Sequence, residues 1–339
     1  MSSFIEIGGQ RIASIESPEG VTLTTDSFIS LSNISEFPLN VRVVDGDLRL
    51  SNCSLRNLPS PLTIRGDLEV YQCADLVLPA NLEVTGDLRL GDSEMDSACL
   101  PSGLVVGGAL RIEECEFRQF PEDLRVGRSI IASNSALEEL PEALSLTGTL
   151  DISGTGVSKL PDPLHIGSAL ILTDCPIAAL PEQLSVGDSM DISGTGITRL
   201  PKNLSLNLDL FVANTEVAEL PENLKLCSLD ISNTPITQVP ESTSVHVGFF
   251  AEYSKIRTLP KSFVDLDELD LTGSAIEELP ENLSVTFKLY LSDSAIQVLP
   301  EKLHVGDTLY LGGTAVPRTP LPKSYKTGQD LEIDWNWRP

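Results

Sequence analysis

Apolar residues recur in pairs separated by one position: Leu150 and Ile152, Leu170 and Leu172, Met190 and Ile192. Alternation of period two predicts a strand with one buried face. Each pair sits in a longer pattern, LPxxLxVxxxLxLxxTxIxx, which repeats along nearly the whole chain. The prolines at 18, 38, 59, 79, 101, 121, 141, 161, 181, 201, 221, 240, 260, 280, 300 and 320 are 19 to 22 residues apart, most often 20. Such a period means one short unit stacked many times, about sixteen here, so the predicted fold is a solenoid. Proline at that spacing forbids long helices.

Each coil is predicted to carry a main strand at LxL. A turn follows, in which Gly154, Asp174, Gly194, Asn214, Asn233 and Gly273 supply the left-handed dihedrals. A buried aliphatic and Leu-Pro come next, then a short extended LxV segment on the other side. Successive main strands are expected to pair in parallel. After each LxL stands a small hydroxyl or thiol residue, as at Cys53, Cys73, Cys115, Ser135, Thr155, Cys175, Thr195 and Ser274. A stacked column of such groups can bond to turn backbone that would otherwise be unpaired. The expected organisation is an N-terminal cap over residues 1–17, the solenoid over 18–320, and a C-terminal cap over 321–339. Caps are needed because a terminal coil exposes core and a strand edge. Three irregular spots are expected to be bulges or bends. They are the long interval from Leu78 to Leu100 with Glu94, Met95 and Asp96, the short coil around Cys227, and the Leu-poor coil after Pro240.

LxLxx(T/N/C)xI followed by Leu-Pro resembles the leucine-rich repeat family, in a divergent form of its short bacterial type. The resemblance implies a horseshoe with the parallel sheet on its concave face and extended or polyproline II segments on the convex face. It also implies a binding surface in place of an enzyme. Some bacterial relatives append a ubiquitin-ligase domain, for which the 19 residues beyond Pro320 leave no room.

The formal net charge is −26, from 49 acidic and 23 basic residues. That field repels nucleic-acid phosphate and anionic lipid, and it attracts basic proteins. Ten of the fourteen arginines precede residue 130, so the acidic field is expected to concentrate beyond it. The start of the chain lacks a basic region followed by an apolar one, and no run of about 18 apolar residues occurs. The six cysteines show no CxxC and no metal-ligand spacing. A cytoplasmic location is expected, or delivery into a host cell by a route without a classical signal peptide. GxxxxGK[ST], GxGxxG and HExxH are absent from the sequence. The three histidines, His165, His246 and His304, share one solvent-facing repeat position. No catalytic residue, cofactor or metal site is therefore expected.

Side chains between the two strand leucines point outward. Down the coils they read Arg49, Glu69, Arg89, Arg111, Ile131, Asp151, Ile171, Asp191, Phe211, Asp230, Phe250, Asp270, Tyr290 and Tyr310. The later part alternates Asp with an apolar or aromatic residue. Aromatics beside carboxylates suit a protein-binding hot spot, the rings giving burial and Asp selecting Arg or Lys. The expected partner-binding residues are Asp151, Asp191, Phe211, Asp230, Phe250, Tyr253, Asp270, Tyr290 and Tyr310. Alternation also keeps like charges two coils apart, so repulsion alone is a competing explanation. The expected function is a non-enzymatic interaction module for a basic protein, of the bacterial or phage effector or inhibitor kind. The alternatives are an acidic nucleic-acid-mimicking inhibitor of a nuclease-like enzyme and a structural scaffold.

Overall fold

A computed structural model describes residues 3–91, 100–317 and 332–335. The chain divides into two compact units, Met1–Pro176 and Ile177–Pro339.

In the first unit, strands β1 (Ser3–Ile7), β2 (Gln10–Ser17) and β3 (Gly20–Ser32) pair antiparallel in sequence. Strand β3 then pairs in parallel with β4 (Val41–Ser51), and from there every pairing in the unit is parallel among the described residues. The main strands hold one register: Leu48, Leu68, Leu88, Leu110, Ile130, Leu150 and Leu170 stand side by side. All are buried. Shorter parallel strands form the other side of the coil, such as Leu144–Leu146 against Leu164–Ile166.

The second unit repeats this plan. Met190, Leu210, Leu229, Phe249, Leu269, Leu289, Leu309 and Ile333 share one register. The short coil around Cys227 is absorbed by a register shift between Leu226 and Ser228. The Leu-poor coil after Pro240 fills its core with Phe249, which packs edge to face on Phe263 of the next coil with ring centres 5.1 Å apart. Of the other irregular spots, Glu94, Met95 and Asp96 lie outside the described residues, as do most of 321–339.

The LxL pattern gives this architecture because both leucines face inward while the residue between them cannot. A buried aliphatic side chain contributes roughly 1.5–3 kcal/mol, and the repeat supplies two or more per coil. The turn after each strand needs a left-handed residue, and the column obeys: Asn134, Gly154, Asp174, Gly194, Asn214, Asn233 and Gly273 all have φ between 53° and 71°. The hydroxyl and thiol column lies directly behind the turn. Thr155, Thr195, Thr215 and Thr234 are buried and donate to the carbonyls of Ile152, Ile192, Val212 and Ile231 at 2.6–2.7 Å. Cys53, Cys73, Cys115 and Cys175 fill the same column. Burial pushes the Cys73 and Cys115 thiols up to about 11, which keeps them protonated and unreactive at neutral pH. Four of the six cysteines are thus packing residues.

Candidate partner-binding face

In the second unit the outward row is placed by strand register. Asp191, Phe211, Asp230, Phe250, Asp270, Tyr290, Tyr310 and Asp334 are consecutive neighbours across it. Asp151 belongs to the first unit, in register between Ile131 and Ile171. Within the second unit, acid and ring alternate as the sequence implies, and the alternation ends in two tyrosines. Their rings are stacked, 4.5 Å between centres and 2° from parallel.

The carboxylates have a local task as well. Each accepts a hydrogen bond from the backbone N–H two residues on: Asp191 from Ser193, Asp230 from Ser232, Asp270 from Thr272, at 2.8–2.9 Å. Asp151 does the same with Ser153. Aspartate recurs at this position partly because it closes the entry to the turn. One oxygen of each carboxylate is thereby committed. Asp191 and Asp230 are half-buried, whereas Asp270 is only 9% exposed.

Asp270 is covered in company. The Glu252 carboxyl hydrogen-bonds to it, and burial, the charge of Asp270 and that of Asp230 together push Glu252 up to about 7. Burial also raises Asp230, with Asp191 and Asp270 adding to it. Three outward carboxylates and Glu252 therefore share one field. Among the described residues no Arg or Lys forms an ion pair with Asp191, Asp230 or Asp270. Lys288 is the cation of this neighbourhood, held in its charged form beside Tyr290 and Tyr310.

The equivalent row of the first unit differs in kind. Glu69 is gripped by Arg49 at 2.5 Å and by Arg89 at 3.5 Å, and Arg111 reaches Glu113 at 3.6 Å. These charges are paired within the unit, whereas among the described residues Asp191, Asp230 and Asp270 form no ion pair.

Sequence reasoning places Tyr253 at the edge of the row, and the structure puts it at the turn position, φ 53° and 50% exposed. Neighbouring coils use Asn, Asp or Gly there. A tyrosine in this conformation is strained, and strain of this sort collects at functional sites. Its ring rests over Gly273, where a Cβ would come within 2.5 Å of the ring. Phe250 uses a glycine in the same way: a Cβ on Gly248 would meet its ring at 2.7 Å.

Two further features escape the reading of the outward row. Leu208, Val247 and Phe287 stand two residues before the first buried strand residue of their coils, and all three are exposed. Equivalent positions in the first unit hold Gly66, Gly86, Gly108 and Gly148. A Cβ at Gly86 or Gly108 would lie 2.8 Å from the preceding coil's backbone. The signal in the sequence is an apolar residue at Leu208, Val247 and Phe287 in that column, on coils that alternate with Cys227, Asp267 and Asp307. Glu252 is the second, and only its interaction with Asp270 on the next coil reveals it.

Among the described residues no cluster of three or more His, Cys, Asp or Glu side chains could hold a metal ion. No helix there is long and apolar enough to cross a membrane. His165 and His246 are exposed and His304 is half-buried.

No known family profile matches the sequence, and no curated protein matches it. Among solved structures the chain is similar to YopM from Yersinia enterocolitica WA-314. The identity is 19% over 88% of this chain and 84% of that one, with a TM-score of 0.44. It is similar to a leucine-rich repeat protein of Leptospira interrogans at 17% identity, over 82% of this chain and 86% of that one, TM-score 0.43. It is also similar to the TLR13–ssRNA13 complex at 14% identity, over 87% of this chain and 62% of that one, TM-score 0.45. The solenoid assignment rests on the strand register itself. The coil, with its LxL strand, left-handed turn and buried polar column, is consistent with the leucine-rich repeat pattern.

Proposed function

We propose that this chain is a non-enzymatic interaction module whose second unit holds a protein with a basic surface. The observation that carries the reading is the outward row Asp191, Phe211, Asp230, Phe250, Asp270, Tyr290 and Tyr310, bordered by Tyr253. Rings lie exposed or half-exposed beside carboxylates that have no ion-pair partner among the described residues. Aromatic anchors give burial and the acids give selection and steering. The strain at Tyr253 supports the reading, since a left-handed Asn or Gly would serve the fold better at that point. Asp151 carries the same chemistry on the first unit's own row and is proposed as a partner contact of that unit.

Capture experiments test this. Wild type is compared with a variant carrying F211A, F250A, Y290A and Y310A, and with one carrying D191N, D230N and D270N. Circular dichroism checks that each keeps its strand content. Loss of a partner by about a hundredfold in the aromatic variant supports the proposal. Equal capture of the same partner by wild type and both variants overturns it. Capture lost only in the Asn variant, with a steep fall on adding salt, would favour a charge mimic of nucleic acid instead.

A further inference from the structure

We infer that the partner segment taken by this face is a polyproline II strand with Arg or Lys at every third residue. This rests on the proposed function and deepens it by naming the conformation and spacing of what is bound.

The argument is one of register. Asp191, Asp230 and Asp270 are each two coils apart, with Phe211 and Phe250 on the coils between. Parallel strands lie about 4.8 Å apart. The acids therefore repeat every 9.6 Å or so along the stack, by the same spacing. The rings repeat at the same interval, offset by one coil. A ligand lying along the stack must present cations and flat apolar groups with that period.

Backbone conformations differ in what they can offer. An extended strand brings side chains back to one face about every 6.7 Å, which falls out of step at the second acid. An α-helix rises about 5.4 Å per turn and is too wide to lay consecutive turns against one row. Polyproline II has three residues per turn and a rise of about 3.1 Å, so one face returns about every 9.3 Å. Over the two intervals from Asp191 to Asp270 the accumulated mismatch is about 0.6 Å. Flexible Arg or Lys side chains absorb that.

The surface chemistry agrees with the spacing. Polyproline II segments dock on rows of aromatic side chains, because the prolines are rigid and flat and need no backbone hydrogen bonds. The Phe250 ring, set over Gly248, and the Tyr253 ring, over Gly273, are such platforms. At the third acidic level the anion offered is the Glu252–Asp270 pair, since Asp270 itself is nearly covered. The periodicity ends at the stacked Tyr290 and Tyr310, where Lys288 opposes a further cation. The segment carries proline or another apolar residue at that end.

Two synthetic peptides of identical composition test the inference by titration calorimetry. One is (Arg-Pro-Pro)4; the other groups its four arginines together between proline runs. The periodic peptide is expected to bind at least tenfold tighter. D191N/D230N should reduce it to the level of the grouped peptide, and F211A/F250A should weaken both. Equal binding of the two peptides, each weakened by these substitutions, would overturn the periodic segment while leaving a basic partner on this face intact. Absence of binding by the periodic peptide also overturns the inference, and the capture experiment then decides the proposed function separately. Peptide binding unchanged by either variant would overturn both.

Discussion

Ser254 and Ser274 occupy the same buried column, one coil apart, and differ in a single bond. The Ser274 hydroxyl donates to the Leu271 carbonyl at 2.6 Å, whereas the Ser254 hydroxyl is buried with no hydrogen-bond partner. A net hydrogen bond is worth about 1 kcal/mol, and an unsatisfied buried hydroxyl costs free energy. Ser274→Ala should therefore lower stability by about 1 kcal/mol, while Ser254→Ala should leave it unchanged or raise it. Urea denaturation of the two variants checks this, and equal losses would refute the assignment. Glu252 gives a second residue-scale prediction. Its pKa is raised from 4.5 to about 7 in the folded chain, so the folded state holds that proton more tightly than the unfolded one. Its contribution to stability is fully present below about pH 4.5 and is lost as pH rises through about 7. Wild type should lose stability relative to Glu252→Gln as pH rises from about 4.5 to 7, and the difference should level off above about pH 8. Asp270 and Asp230 are the charged groups that face Glu252, and both remain in the variant, so the difference reports the titration of Glu252 together with its coupling to them. A melting-temperature difference that stays flat over that range would contradict the pairing with Asp270.

At the scale of the element, the turn after each main strand decides what the outward face can display. Its left-handed residue is Gly or Asn in most coils; Gln72, Glu114 and Tyr253 are departures, and of these three only Tyr253 carries a ring. The next turn is built around that departure, because Gly273 has φ 64° and no room for a Cβ beneath the Tyr253 ring. Gly273→Ala should cost roughly 1–3 kcal/mol from the dihedral and the displaced ring together. Gly154→Ala, with φ 67° and the Asn134 side chain in place of a ring beside it, should cost less. Comparing the two by chemical denaturation separates the displaced ring from the dihedral they share; a larger loss at Gly154 would refute the packing of Tyr253. The strands and turns were legible in the sequence because one residue type per position recurs coil after coil, as in Leu150/Ile152 and the Gly154-type turn. The short coil at Cys227 was legible as a missing residue, but not the bulge between Leu226 and Ser228 that absorbs it. Where a bulge falls depends on hydrogen bonding between coils, which spacing alone does not encode.

At the scale of the whole molecule, a net charge of −26 must be carried somewhere. The first unit's outward row offsets part of it internally through Arg49, Glu69 and Arg89, and the second unit's row does not. That contrast follows from the sequence once the register is known, since the arginines thin out after residue 130. The aspartates' second task is not legible in this way. Asp191, Asp230 and Asp270 each bond to their own turn, so their recurrence reflects folding as well as display. The covering of Asp270 by Glu252 arises from side chains on neighbouring coils, and no pattern within a single repeat announces it. The central claim is that the rings between these acids are the surface a partner covers. Hydroxyl-radical footprinting of the captured complex, read residue by residue against the unbound chain, tests it most directly. Protection of Phe211, Phe250, Tyr253, Tyr290 and Tyr310 on binding is the predicted result. Unchanged reactivity at those five, with protection confined to the Leu-Pro side of the coils, would contradict it.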